Sequence, residues 1–442
     1  MLWFAPVSMQ AQSQYDQGKP FGFCTRTSRT STSSSYAFNV TGGGVYSYPE
    51  AANANNSITL KSNGKDMRSE ISDAISKYSV IIFDGSNGDF IVSKTISLSK
   101  LSNKTLLGIN DARLCTQWHV TDEIKAALDK AGVPKMSTQS GTGGTLSTGS
   151  SISEEAELNT RQIIINLTGD TKESCRSCGV FSCSSCKNII IRNLRFLGPG
   201  SIDISGADLI SMTGCNNMWV DHCEFADGTD GNFDITQKSD FVTVSWCKFN
   251  YTPHSYMHQN TNLVGSSDSE STGYLNITFA YNNWGTGCRA RMPMARVGLI
   301  HMLNNYYTCV GNATACINPR KNSEFLIEGN YFIQGVSNIF SQSDSKAWVW
   351  TATNKALDSW AIPPTSQGTV KVPYSYSIMD VNNVAEEVGN HAGATLFKET
   401  ASAITIPTKS QQHRTVCYTT SGIACTANHN GIIISDGHKT IR

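Results

Sequence analysis

Three aspartates and three arginines in the middle of the chain have the types and spacing to hold a metal ion beside an acidic ligand. Asp208 lies in "SGADLISM", and Asp230 and Asp234 stand four apart in "DGTDGNFDITQ". Carboxylates brought within a few ångströms repel, and the pKa of at least one rises. A bound cation removes that penalty, and an all-oxygen donor set suits calcium. Further on, "CRARMPMARVGLIHMLNNYY" packs Arg289, Arg291 and Arg296 into eight positions, the last two framing Pro293 as R-x-P-x-x-R. Guanidinium groups bind carboxylates in a planar fork. A carboxylate-held cation beside free guanidinium groups would therefore suit a ligand that itself carries carboxylates. Each residue alone has a plainer reading, since aspartates cap turns and arginine clusters are commonly solvated faces. The chemistry depends on a fold that brings them together.

A repeat supplies that fold. Six octets align: "IIIRNLRF" from Ile189, "MWVDHCEF" from Met218, "VTVSWCKF" from Val242, "ITFAYNNW" from Ile277, "LIHMLNNY" from Leu299 and "FLIEGNYF" from Phe325. Each starts apolar and ends aromatic, and the third place is apolar except at His301. The starts lie 29, 24, 35, 22 and 26 residues apart. Alternation of period two means strand, and a period this short leaves no room for a crossover helix. The expected fold is all-β, a single-domain right-handed parallel β-helix in which equivalent residues stack about 4.8 Å apart. Its sixth-place column would read Leu194, Cys223, Cys247, Asn282, Asn304 and Asn330, with the amides forming a ladder. A second column would pair Cys186 with Cys215, each three residues before its octet.

Asp208 and Asp234 precede their octets by ten and eight residues, so both fall on the strand before the octet. The arginines lie on that same side. Carboxylates, cation and guanidinium groups would thus line one groove.

The domain boundaries follow. Residues 20–340 form the coil, an inserted mobile loop occupies about 117–160, and 341–442 is a tail packed on the coil. "DEIKAALDKAG" at 122–132 reads as a short amphipathic helix, and strands are expected to resume at "RQIIINLTG". Residues 1–11 read as the remnant of a secretory signal, a short apolar run before Ala11, which places the protein in a secreted or periplasmic compartment. The 35 basic and 35 acidic residues cancel, so no global field draws in nucleic acid or an anionic membrane. No run of apolar residues is long enough to span a bilayer. The expected state is a monomer.

Fourteen cysteines suit an oxidising compartment. Cys175, Cys178, Cys183 and Cys186 could hold zinc, but their short central spacing is unlike common zinc ribbons, and inward thiols or disulfides are the plainer reading. Asp227 and Asp240 read as turn residues, and Asp221 with His222 as a structural polar contact rather than a catalytic pair.

"MWVDHCEF", "DGNFDI" and "RMPMARVGLIHMLNNYY", in this order, resemble the matching motifs of the pectate lyase family 1 enzymes. The likeness is dense over about 200–310, thinner over 160–340, and faint in "PYSYSIMDVNNVAEEVGNHAGA" of the tail. It implies a parallel β-helix and calcium-dependent eliminative cleavage of α-1,4-polygalacturonate, an acidic polysaccharide substrate. By the same resemblance Asp208, Asp230 and Asp234 match the Ca2+ ligands, Arg291 the catalytic arginine and Arg296 a substrate-binding arginine. Two positions depart from the pattern: Asn260 stands where a lysine is common, and Gly206 where some members carry an acid. Loss of a cation weakens grip on a carboxylate, which Arg289 or Lys248 could offset. The alternatives are a non-catalytic carbohydrate-binding β-helix and a pectin lyase acting on methyl-esterified pectin, the latter disfavoured by the three aspartates.

Overall fold

The computed structural model describes residues 13–397 apart from 137–144, 147–151, 337 and 359–362, together with short strands at 417–419, 424–425, 432–435 and 438–441. The expected signal remnant at 1–11 lies outside the described residues. The chain coils into three parallel sheets. One has ten strands running from Ser57–Lys61 through Lys187–Arg192, Asn216–Asp221, Asp240–Ser245, Asn276–Ala280, Leu299–Leu303 and Glu324–Glu328 to Ala347–Trp350. A nine-stranded sheet runs from Phe90–Val92 to Lys355–Ala356, and a seven-stranded sheet from Ile96–Ser99 to Asn318–Pro319. This is the right-handed parallel β-helix expected from the octets. Residues 399–442 form a separate unit whose four strands make a small antiparallel sheet.

Register explains the octets. Ile189, Met218, Val242, Ile277 and Ile300 are successive partners across the ten-stranded sheet. The fifth octet therefore starts at Ile300, one residue later than the sequence alignment has it. The doublets Asn304–Asn305 and Tyr306–Tyr307 allowed either frame. In the true frame the aromatic column is Phe196, Phe225, Phe249, Trp284, Tyr307 and Phe332, stacked with centroids 4.3–5.6 Å apart and planes within 18°. Trp350 of the ten-stranded sheet stacks on its end against Phe332 at 5.8 Å. The column fills the inside of the coil with little need to adapt from one turn to the next.

The amide ladder shifts by the same residue. Oδ1 of Asn282, Asn305, Asn330 and Asn354 accepts in turn the backbone N–H of Cys247, Asn282, Asn305 and Asn330 at 2.9–3.0 Å. Their Nδ2 groups donate to the carbonyls of Val244, Phe279, Met302 and Ile327. Each amide satisfies the corner of the coil before it, where the main chain turns between sheets and cannot pair with itself. Asn304 belongs to the preceding column. Together with Asn193, His222, Trp246 and Tyr281 it takes a left-handed backbone, near φ +50° to +60°. Its side chain instead ties the Met379 backbone to the coil. The thiol columns stand as expected: Cys186 neighbours Cys215, and Cys223 neighbours Cys247.

The insertion is more ordered than a loop. Thr121 caps a helix at Asp122–Lys130 by accepting from the Ile124 N–H. A second helix spans Glu154–Thr168, so "RQIIINLTG" is helical rather than strand. Three β-branched isoleucines favour strand locally. They are outweighed by the Ser153 cap on the Ala156 N–H, three glutamates in the first turn, and Gly169 in the left-handed region at the C-terminus. Ile124, Leu128 and Ile164 pack with Cys175, Cys178, Ile204 and Tyr256 in a cluster apart from the coil interior, while Cys183 and Cys186 lie inside the coil. The four cysteines of the spaced motif thus divide between two cores. Among the described residues no three His, Cys, Asp or Glu side chains form a ready-made metal cluster.

Asn305→Leu strands the Asn282 N–H and the Phe279 carbonyl and should destabilise the fold by about 3 kcal/mol. Cys223→Val, three places earlier in the same column but with no amide to lose, should cost about 1 kcal/mol or less. Urea-denaturation midpoints check this, and equal losses would refute the ladder's role.

Candidate active site

The seven-stranded sheet carries both clusters singled out in the sequence. Asp234 sits within the strand Phe233–Thr236, beside Ser211 of the strand before it. Asp208 lies just ahead of Ile210–Thr213, where Leu209 N–H donates to the Gly231 carbonyl. The two aspartates thus occupy different columns, three residues apart in register. The next residues along the Asp208 column are Gly231, Asn260 and Ala290, joined by parallel bridges, and Arg291 follows Ala290. At about 4.8 Å per turn the arginine backbone stands two to three turns, roughly 10–15 Å, from the acids.

Gly231 is what makes the acids a site. A β-carbon there would lie 2.8 Å from Asp208 Oδ1, 3.2 Å from the Asn260 carbonyl and 3.4 Å from Asp234 Oδ1. The missing side chain leaves a gap rimmed by three oxygens. Asp208 Oδ1 is buried and accepts no hydrogen bond among the described residues. A buried acceptor without a donor is costly, and an all-oxygen rim with an orphaned carboxylate oxygen fits a hard cation. Asp234 Oδ1 takes one N–H, from Leu263 at 3.0 Å.

The electrostatics agree. Burial, followed by the charges of Asp234 and Asp230, pushes the Asp208 carboxyl well above the usual carboxylate range, against the pull of Arg291. Burial and Asp230 raise Asp234 to about 7. Asp230 goes the other way. Burial is the largest influence and would raise it, but the hydrogen bond with His258 and the charges of His258 and Arg291 together outweigh it and lower the carboxyl. His258 Nε2 lies 2.8 Å from Asp230 Oδ1, on a side chain that is 48 % exposed.

Arg291 is held with φ +58°, a conformation a long side chain rarely adopts. Its carbonyl accepts from the Asn262 N–H at 2.7 Å, and the next N–H, of Met292, donates to the Cys316 carbonyl. Its guanidinium lies within electrostatic reach of all three aspartates. Among the described residues it has no ion-pair partner within 4.0 Å. Arg296 is engaged differently: Nε donates to Asp268 Oδ1 at 2.9 Å and Nη1 to the Gly265 carbonyl at 3.0 Å. Arg289 donates to Gln259 and to the Gly311 carbonyl.

The two departures from the motif have local causes. A β-carbon at Gly206 would lie 2.4 Å from Thr229 Cγ2, so that space is already filled. Asn260 is buried, its amide nitrogen 3.1 Å from His258 Nε2 and its backbone carbonyl accepting from the Tyr251 hydroxyl. His258 is the basic side chain in direct contact with Asp230, a role its sequence position gave no signal for. Gly231 and Asp268 were also missed, because their importance depends on register between turns. Asp227 does more than shape a turn: its carboxylate accepts from Thr252 N–H, Thr252 Oγ1 and Ser255 Oγ. Asp240 likewise accepts from the backbone and amide of Asn276. Asp221 and His222 end a strand of the ten-stranded sheet, away from this site. There Asp221 pairs with Arg192, and His222 Nδ1 contacts Asp221 Oδ2 at 2.8 Å, while its Nε2 lies 3.7 Å from Asp16 Oδ2.

Comparison with known proteins agrees with this architecture. The family model described as pectate lyase matches residues 119–396. Pectate lyase A of Aspergillus niger is 34 % identical over 221 residues, 48 % of this chain and 63 % of that protein. The pectate trisaccharide-lyase of Bacillus licheniformis is 35 % identical over 218 residues, 47 % of this chain and 60 % of that protein. The chain thus covers about three fifths of the length of the curated relatives it matches. Pectate lyase pelN from Paenibacillus sp. 0602 has a similar fold, with a TM-score of 0.53 at 14 % identity over 87 % of this chain and 97 % of that one. With the family model spanning well over half its length, including both the acidic gap and the arginine segment, the chain belongs to the pectate lyase family.

Proposed function

We propose that the protein is a calcium-dependent polysaccharide lyase that cleaves α-1,4-polygalacturonate by β-elimination outside the cell. The observation that carries this reading is the oxygen-rimmed gap beside Gly231, with the Arg291 guanidinium, which has no ion-pair partner within 4.0 Å among the described residues, along the same sheet. Asp208, Asp230 and Asp234 would hold the ion. When bound, it offsets the charge of the substrate uronate and so acidifies the proton on C5. Arg291 in its neutral form takes that proton at a guanidinium nitrogen as the bond from C4 to the glycosidic oxygen breaks, and the leaving oxygen takes a proton from water. An arginine keeps its proton at ordinary pH, so this role requires an alkaline medium. Arg296, fixed by Asp268 and the Gly265 carbonyl, offers a pre-oriented cation to a neighbouring uronate. His258 restrains Asp230 through the contact of its Nε2 with Asp230 Oδ1.

For export, the abundance of cysteine is the supporting feature, and no helix among the described residues is long and apolar enough to cross a membrane. The second reading, a β-helix that binds acidic polysaccharide without turnover, draws on Asn260, whose buried amide cannot replace a cation.

Polygalacturonate mixed with the protein should develop ultraviolet-absorbing unsaturated ends, fastest at alkaline pH and not at all with chelator. Esterified pectin in parallel should react more slowly. Arg291→Lys should lower kcat at least about 10³-fold with calcium affinity unchanged. A neutral optimum with an active lysine variant would rule out Arg291 as the proton acceptor, and binding without product would favour the second reading.

Without metal, the acid gap should make stability depend on pH. A carboxyl raised to about 7 in the folded state is protonated there while still ionised in the unfolded chain, so stability is lost as pH climbs from about 4 through 7. Metal-free protein should melt lower at pH 8 than at pH 5, and calcium should restore the difference. Asp234→Asn should raise the metal-free Tm at pH 8, change it little at pH 5, and reduce the calcium response. A wild-type Tm that is flat over this range contradicts the assignment.

Gly231→Ala puts a methyl 2.8 Å from Asp208 Oδ1. Because Gly231 has no left-handed backbone to defend, the variant should fold with near-normal circular dichroism yet bind calcium at least about tenfold more weakly. Unchanged affinity would show that the gap is not the metal site.

A further inference from the structure

The arginine segment leans on a short loop that the proposed reaction does not use. Ala313 and Thr314 N–H groups donate to the Arg289 carbonyl at 2.9 and 3.1 Å, Arg289 Nη1 donates to the Gly311 carbonyl at 2.9 Å, and Met292 N–H donates to the Cys316 carbonyl at 2.8 Å. The loop leaves the coil at Cys309, after the strand Tyr306–Tyr307, and returns at Cys316, before Asn318–Pro319. Its tip is open, with Val310 60 % exposed, but both cysteines are fully buried in the coil interior. Their Sγ atoms are 3.8 Å apart.

This pair differs from the stacked thiols. Cys186 with Cys215, and Cys223 with Cys247, occupy equivalent places on successive in-register turns, which keeps their β-carbons near the 4.8 Å strand spacing. A disulfide wants β-carbons about 3.8 Å apart. Cys309 and Cys316 are instead the two ends of one loop, free to converge, and no ladder holds them at strand distance.

We propose that Cys309 and Cys316 are joined as a disulfide in the mature protein, closing loop 309–316 against the backbone of Arg289–Met292. Each thiol gives up its proton and one electron as the sulfur–sulfur bond forms. The two electrons and two protons reduce a low-molecular-weight disulfide of the glutathione class to two thiols. With both sulfurs buried in the finished fold, the exchange takes place during folding, before the loop seats. The bond restrains the loop and, through it, the arginine segment, whether or not the protein is a lyase.

The test uses full-length protein exported to an oxidising compartment. Free thiols are alkylated under denaturing conditions without reductant, and the protein is digested with trypsin. Residues 297–320 form one peptide containing these two cysteines and no others. It should be unlabelled, lighter than the dithiol form by two hydrogen atoms, and should take two labels after reduction. Two labels before reduction, or a cross-link to Cys288, the neighbouring buried thiol, would overturn the proposal. Hydrogen exchange tests the clamp itself. In the double variant C309S/C316S, amides of 289–292 should exchange about tenfold faster, those of Asn216–Asp221 should be unchanged, and the Tm should fall by about 3 °C. An equal rise in exchange at both places would mean that the bond stabilises the fold without restraining the arginine segment, and would refute the clamp.

Discussion

In-register stacking of one coil on the next is the constraint from which the rest of the molecule follows. Parallel strands about 4.8 Å apart force each residue to sit beside its counterpart one turn away. A column of like residues then becomes favourable, because every member meets a neighbour it can pack or bond with. The stacked rings from Phe196 to Phe332 and the amide chain from Asn282 to Asn354 are two such columns. The first supplies apolar burial along the axis, and the second satisfies corners where the main chain cannot pair with itself.

The candidate site is an interruption of this regularity. Along the column that starts at Asp208 the next residue is a glycine, and the space it leaves is bounded by oxygen atoms of Asp208, Asp234 and Asn260. Stacking brings like charges together there, and the fold alone does not neutralise them: Asp208 and Asp234 are pushed toward the protonated state, while Asp230 alone is relieved by His258. Such unresolved repulsion, beside an arginine that has no carboxylate partner among the described residues, is characteristic of a place built for a charged ligand rather than for stability. The arginines divide the work. Arg296 is locked to Asp268 and the Gly265 carbonyl, whereas Arg291, on a backbone bent into the left-handed region, has no ion-pair partner among the described residues.

Much of this could be read from residue order, and what could not has a physical reason. The octets stood out because strand alternation and a recurring aromatic are local signals, and the three sheets follow from them. The frame of the fifth octet slipped by one because paired asparagines and paired tyrosines satisfy both frames. Only the partnering of Ile277 with Ile300 decides it, and that is a contact between turns. The isoleucines within Glu154–Thr168 favour strand locally, although the cap and first-turn charges that specify a helix lie a few residues upstream. The aspartates and arginines could be picked out by type, but Gly231, His258 and Asp268 could not. A glycine's empty space, a histidine's carboxylate partner and an arginine's anchor all depend on which residues the next turn brings alongside.

The central claim is that a divalent cation occupies the gap that Gly231 leaves between the aspartates. Anomalous scattering from a calcium-soaked crystal of the full chain tests it most directly. The account predicts a peak in that gap, about 2.3–2.6 Å from oxygens of Asp208 and Asp234. A crystal that binds calcium elsewhere while this gap shows no peak would contradict it.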